Sequence, residues 1–347
     1  MSNKFYSFPK IGQFADTIRN IKHHYDFKGL NEAEEPIYLH DVPYPSIIYQ
    51  GTVKLHGTNA GIIFHKDGTF HCQSRERIIT PQGDNAGFAA FVYALPEEIM
   101  NILRKPKTAI YGEWCGGNIQ GGVAIHGLSK MYVIFAKKDI SIEDEEDKEQ
   151  HWIRNDFTYE EEKNLNKHNI FSSLQFQTVA LRIDFEHPEI AQNELIKLTE
   201  EVEQCCPVGK HFGKEGVGEG IVWKPLDSIE NKNYSNSGYW FKVKGEKHSS
   251  SKHKTLAPID VESVKAIEEL VDIVLTESRV EQGINKIKES GKEPSMKTIG
   301  EFLKWLMSDI ESEEAPLLNA SGIERKKIYG KVSQRSKIMY MEKINKL

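Results

Sequence analysis

Lys54 opens the run Lys54-Leu55-His56-Gly57-Thr58-Asn59 and has β-rich residues on both sides, a place from which a lysine can project from a strand end into a cleft. A free lysine has a pKa of about 10.4 and is almost wholly ammonium at neutral pH, so it attacks as a nucleophile only where its surroundings favour the amine. Neighbouring cations do that. Lys242 and Lys244 alternate on one short apolar run, which puts both side chains on the same face. By itself, Lys-x-(Asp or His)-Gly arises in about one chain of this length in ten, so its companions decide. They follow in order: Ser74-Arg75, Tyr111-Gly112-Glu113, the aromatic-bearing run 131–135, Glu219-Gly220-Ile221-Val222-Trp223-Lys224 and Phe241-Lys242-Val243-Lys244.

The elements that must position these residues are short. Strand patterns fall at 46–49, 52–55, 60–64 and 69–73, and Lys66-Asp67-Gly68 turns the third into the fourth. Further strands read at 108–112, 131–136, 220–223 and 239–243, with helices at 88–95 and 98–103. This is a predominantly antiparallel α+β domain. Residues 137–166 are acid-rich, notably 143–147 and 160–162, and read as a solvated insertion. A polar, linker-like stretch follows Lys244. Beyond it Val264, Ile267, Leu270, Val271 and Val274 recur at helical spacing, as do Ile299, Phe302, Leu303 and Leu306. The expected domains are therefore 1–246 and a helical 258–347, joined by a linker over 247–257. Gly216-Val217-Gly218-Glu219-Gly220 is not a dinucleotide finger, because position 221 is Ile and no strand-then-helix context surrounds it.

The ordered motif set resembles the covalent nucleotidyltransferase superfamily of DNA ligases, RNA ligases and mRNA capping enzymes. His56, where DNA ligases and capping enzymes usually carry Asp, and the stretch 112–120 are similar to the phage T4 RNA ligase 2 family. The resemblance covers about residues 47–245, and the helical tail matches that family's layout. It implies an antiparallel nucleotidyltransferase domain with a smaller all-helical C-terminal domain, ATP as substrate, and RNA as partner. Lys54 would carry AMP, with Val53 beside it. Glu113 would accept from the ribose and Phe135 would stack on adenine. Asn59 and Arg75 would hold ribose or phosphate, with Arg77 as the competitor of Arg75, and His56 would position phosphate or the nucleophile loop. Lys242 and Lys244 would also hold the triphosphate, and Lys224 is a further phosphate candidate. Phosphoryl transfer is largely positioning and charge neutralisation. Glu219 is the first candidate to hold Mg²⁺ or Mn²⁺, directly or through water, since Mg²⁺ commonly takes one or two carboxylates and keeps several waters. Ala136 departs from relatives that carry an acid there. The rival readings are a DNA ligase, a capping guanylyltransferase, or an RNA-binding relative that has lost catalysis.

The 347 residues suggest two or three units, and 39% hydrophobic with 10% aromatic residues excludes a wholly disordered chain. Four cysteines without a CxxC pair make a disulfide framework or zinc ribbon improbable and suit reduced thiols in a cytosol. Neither a cleavable leader nor an 18-residue apolar run is evident, so a soluble intracellular protein without a membrane role is expected, and the resemblance implies a monomer acting in RNA repair in a phage-infected or bacterial cytosol. His23 with His24, and His248 with His253, read as solvated loops. The net charge of -6 sums opposed regions: 242–254 and 324–347 are basic and able to track a phosphate backbone, while the acids gather elsewhere. A strongly polarised surface is the expectation.

Overall fold

A computed structural model of the protein describes residues 4–31, 34, 36–39, 43–141, 151–153, 156–226, 236–245, 261–289 and 292–345. The chain divides into two compact units, 1–24 with 44–257, and 25–43 with 258–347. The expected linker 247–257, with His248 and His253, and the acidic run 143–147 lie outside the described residues.

Helix α1 (Phe14–Asp26) precedes a hairpin of β1 (Phe27–Leu30) and β2 (Pro36–Tyr38). Then come β3 (Ser46–Lys54), β4 (Thr58–Phe64), β5 (Phe70–Ser74), β6 (Ile78–Ile79), α2 (Phe88–Tyr93) and α3 (Glu97–Leu103). They are followed by β7 (Thr108–Cys115), β8 (Met131–Asp139), β9 (Trp152–Ile153), α4 (Tyr159–Asn166), β10 (Ile170–Ser172) and β11 (Thr178–Asp184). Helices α5 (Gln192–Gln204) and α6 (Pro207–His211), then β12 (Gly220–Pro225) and β13 (Phe241–Lys244), complete the first unit, whereas β1 and β2 belong to the second.

Two sheets result. One runs β11-β3-β12-β13, antiparallel throughout; the other runs β10-β8-β7-β4-β5-β6, with β9 on the edge of β8 and β10 paired parallel. The larger sheet buries Ile62, Phe64, Trp114 and Tyr132 against Phe88 and Val92 of α2 and Leu103 of α3. Burying each such side chain is worth about 1.5–3 kcal/mol, which is why these short helices need no strong propensity of their own.

The expected runs 46–49 and 52–55 are one strand. Burial alternates without a break along β3, and Gly51 in its middle pairs with Val179 on one side and Trp223 on the other, so no turn intervenes. At 239–243, Ser237–Tyr239 forms a 3₁₀ turn and the strand is Phe241–Lys244. The described part of 137–166 is largely regular structure rather than loop. It contains the end of β8, β9 paired to Lys137 and Lys138, and α4, whose N-terminus is closed by a reciprocal Thr158–Glu161 capping box with Glu160–Glu162 on the favourable end of the helix dipole. His23 and His24 are exposed, but in the last turn of α1 rather than in a loop. All four cysteines are free thiols, three of them buried.

In the second unit α7 (Val261–Val274), α8 (Glu277–Glu289), α9 (Ile299–Ala320) and α10 (Arg325–Asn345) enclose Val271, Val274, Phe302, Leu306, Val332 and Tyr340. The expected basic tail is α10, and much of its charge is spoken for. Lys331 lies 2.7 Å from Glu268, Arg335 2.5 Å from Asp272, Lys343 2.6 Å from Glu281 and Arg325 3.2 Å from Glu311. Acids of α7, α8 and α9 and bases of α10 meet side by side, so this unit is less polarised than a regional sum of charges suggests. No described helix is long and apolar enough to cross a membrane.

Candidate active site

Strand register alone assembles the central group. Lys54, the last residue of β3, lies opposite Gly220, which lies opposite Lys244, while Thr52, Val222 and Lys242 form the next row on the same face. Adjacent strands are about 4.8 Å apart. The row therefore brings Lys54 and Lys244 to either side of the residue preceding Gly220, which is Glu219. Gly220 has φ 147, and a Cβ there would stand 2.1 Å from the Val243 carbonyl oxygen, so only glycine lets β12 leave Glu219 at this point.

Glu219 is 2% exposed and is held by cations on both oxygens. Lys54 Nζ donates to its Oε2 at 2.7 Å and Lys244 Nζ lies 2.9 Å from its Oε1. His56 Nδ1 is 3.4 Å from Oε2. Burial works to raise the Glu219 carboxyl, but the Lys54 and Lys244 ammoniums outweigh it and hold it below the ordinary glutamate range. Lys242, pointing the same way as Lys244, is pushed below the ordinary lysine range by burial, with Lys244 and Lys54 adding repulsion.

The second sheet forms the facing wall. Asn59 of β4 pairs with Glu113 of β7, and Glu113 with Val133 of β8. Glu113 Oε1 accepts from the Gly57 N–H at 2.9 Å, and burial raises its carboxyl to about 7 against the pull of Lys54. A Cβ on Gly57 would stand 2.4 Å from the Trp114 carbonyl oxygen, so glycine after His56 lets the loop descend onto that carboxylate. Phe135 owes its aim to a bulge: Tyr111 pairs with Ala136 and Gly112 with Ile134, which leaves Phe135 unpaired between them. Ala136, the departure from the acid of relatives, is buried in an apolar cluster with Phe8, Tyr111, Trp152 and Trp240.

Between the sheets lies a cavity of about 270 Å³ lined by Val53, Lys54, Asn59, Arg75, Glu113, Phe135, Lys224 and Lys242. Of the sequence-selected residues, His56, Glu219 and Lys244 stand outside this lining and join it through Lys54. Arg75 lines the cavity, whereas Arg77 donates to the Gly83 and Asp84 carbonyls and braces that loop. Lys224 takes a different place from the other cations. Its ammonium donates to the Phe135 carbonyl at 2.7 Å and sits 4.3 Å from the Trp240 ring centroid, and burial lowers it to about 7. Sequence reasoning missed Phe8, Pro9, Lys10 and Ile11, an irregular N-terminal segment that also lines the cavity. Its only sequence signal is an aromatic next to Pro9 and Lys10, which no periodicity singles out.

Lysines, an arginine and paired carboxylates around a cleft that offers an aromatic face can hold a nucleotide and make a lysine its phosphate acceptor. Both Glu219 oxygens take lysine ammoniums and Glu113 takes a backbone N–H, so these carboxylates would hold a divalent ion through its waters rather than as a dedicated cage.

A sequence profile of the RNA ligase family matches residues 47–244. No curated protein sequence gives a significant match. Among solved structures, a Naegleria gruberi RNA ligase with pyrophosphate is similar at 18% identity and a TM-score of 0.44, covering 72% of this chain and 60% of that one. A mutant of the Naegleria gruberi enzyme with ATP and Mn is similar at 16% identity and a TM-score of 0.44, over 72% and 59%. Another, with AMP and Mn, stands at 16% and 0.44, over 71% and 58%. The chain thus spans about 60% of the length of the solved structures it matches.

Proposed function

The chain belongs to the RNA ligase family, and on that premise we propose that it joins 3'-hydroxyl and 5'-phosphate RNA ends using ATP. Lys54 attacks the α-phosphorus, pyrophosphate leaves with the bonding pair, and lysyl-AMP remains. The AMP then passes to a 5'-phosphate, and a 3'-hydroxyl displaces it. The observation that carries this reading is the buried Glu219 carboxylate clasped by Lys244 at 2.9 Å and at 2.7 Å by Lys54, which itself lines the cavity. A surface lysine pair would not enclose a carboxylate that is 2% exposed.

In this reading Glu219 holds Lys54 in place and must release it before the amine can attack. Lys242 and Lys244 take phosphate charge, Arg75 and Asn59 take phosphate or ribose, Glu113 accepts from a ribose hydroxyl, and Phe135 offers its face to adenine. Mg²⁺ or Mn²⁺, held by Glu219 directly or through water, would supply charge neutralisation at the reacting phosphates. Residues 1–246 act as the adenylation domain and 258–347 engage the RNA end. The setting that suits the chain is a phage or bacterial cytoplasm, with a monomer acting in RNA repair.

The test is incubation with α-labelled ATP and Mg²⁺, followed by sealing of nicked or free-ended RNA. Labelling by ATP and sealing of RNA are expected. Labelling by GTP alone would point to capping, preferential sealing of all-DNA nicks to DNA repair, and RNA binding without any labelling to a relative that has lost catalysis.

A further inference from the structure

The N-terminal segment missed by sequence reasoning is fixed at both ends of the cavity. At its start, Tyr6 N donates to Gln73 Oε1 at 3.2 Å and the Tyr6 carbonyl accepts from Tyr111 Oη at 2.9 Å. Phe8 is buried, with its ring centroid 5.1 Å from that of Phe135 and 5.1 Å from that of Tyr111. The Pro9 carbonyl accepts from Arg75 Nη1 at 3.4 Å. At its end, Gly12 bridges to Phe241 and its carbonyl accepts from the Lys242 N–H at 3.1 Å. The strap therefore runs from the Phe135 end of the cavity to the Lys242 end, and Lys10 lies between the two anchors.

Lys10 lines the cavity yet is exposed, so it stands at the mouth. Its charge helps to depress Lys242, which places the two ammoniums within electrostatic reach of each other. Asp16, an acid that feels the charge of Lys10, is already engaged by the Gln13 N–H and by Arg19. Among the described residues the lining carries Lys10, Lys54, Arg75 and Lys242 against the carboxylate of Glu113, with Lys54 held by Glu219 and Lys224 turned to the Phe135 carbonyl. Such a surplus attracts a polyanion.

Resting on the ligase reading above, we propose that Lys10 binds the β- and γ-phosphates of ATP and stabilises the departing pyrophosphate when Lys54 is adenylylated. With a purine at Phe135 and the α-phosphorus at Lys54, the remaining phosphates extend past Lys242 toward the mouth, where the strap delivers Lys10. In the step itself a Lys54 Nζ–phosphorus bond forms, the bond from the α-phosphorus to the bridging oxygen breaks, and the amine proton is released to water. The bonding pair leaves on pyrophosphate, and Lys10 meets that new negative charge.

The experiment uses the full chain with Lys10→Ala and Lys10→Arg and separates steps that involve pyrophosphate from one that does not. Lys10→Ala is expected to slow AMP loading from ATP by roughly tenfold or more, the worth of one charge-assisted contact. It should slow pyrophosphate-driven removal of AMP from the loaded enzyme to a similar degree, and Lys10→Arg should restore both. Sealing of chemically pre-adenylylated RNA, which releases no pyrophosphate, should change less than twofold. Loading by Lys10→Ala at the wild-type rate, or an equal loss in sealing of pre-adenylylated RNA, would overturn the role of Lys10 alone. A wild-type chain that takes no AMP at all would overturn the ligase reading and this inference together.

Discussion

Lys224→Met is the substitution whose effect the structure fixes most closely. The Lys224 ammonium is covered by the Phe135 carbonyl and the Trp240 ring, and burial lowers it to about 7 from an ordinary value of 10.5. Between pH 7.5 and 8.5 the unfolded chain therefore keeps this proton while the folded chain has largely lost it. Stability rises with pH wherever the unfolded state binds more protons, so this lysine makes the wild type more stable as pH increases through that window. One full proton of difference corresponds to about 1.4 kcal/mol per pH unit, and the incomplete difference here reduces that to about 1 kcal/mol. Methionine fills similar space and does not titrate. Urea unfolding of both proteins, followed by the fluorescence of Trp223 and Trp240 in the same unit, should show the wild type gaining about 1 kcal/mol on Lys224→Met over that single pH unit. A difference between the two proteins that stays constant from pH 7.5 to 8.5 would refute the claim of a half-buried, depressed lysine beside Phe135.

Three further perturbations probe other parts of the account. Glu113, raised to about 7 by burial, should ionise as pH climbs through neutrality, so AMP loading should rise between pH 6 and 8 in the wild type, and Glu113→Gln should flatten that limb in an initial-rate series. Glu219→Ala strips the partner from Lys54 and Lys244 and should lower AMP loading at least a hundredfold, as measured by label incorporation; loading within a few-fold of wild type would remove Glu219 from the site. Phe8→Ala deletes the ring packed against Phe135 and Tyr111 and should cost about 3–5 kcal/mol by urea titration, with a raised KM for ATP at temperatures where the protein stays folded.

The sequence revealed residue sets that a single strand or a strand pair brings together. Lys242 and Lys244 share a face because a strand alternates, and the one unknown, which residue faces them, is answered by β12 lying between β3 and β13 so that Glu219 falls between Lys54 and Lys244. Phe135 was legible as a residue but its aim was not, since a bulge that leaves it unpaired opposite Tyr111 and Gly112, and not simple alternation, turns it. The Phe8–Ile11 strap was illegible because it has no regular structure, and its position depends on Gly12 meeting Phe241 far along the chain. Acid-rich composition hid α4, although Thr158-x-x-Glu161 was available as a helix-start signal. The basic tail looked ready for phosphate until α10 packed against α7 and α8, where Lys331, Arg335 and Lys343 meet acids whose proximity no local pattern shows.

The central claim is that Lys54 becomes covalently adenylylated. The direct measurement is incubation of the chain with α-labelled ATP and Mg²⁺, digestion under conditions that spare a phosphorus–nitrogen bond, and mass mapping of the modified peptide. The account predicts AMP on the peptide containing Lys54 and none on Lys54→Ala. Undiminished label on Lys54→Ala, or AMP on a different side chain of the wild type, would contradict it.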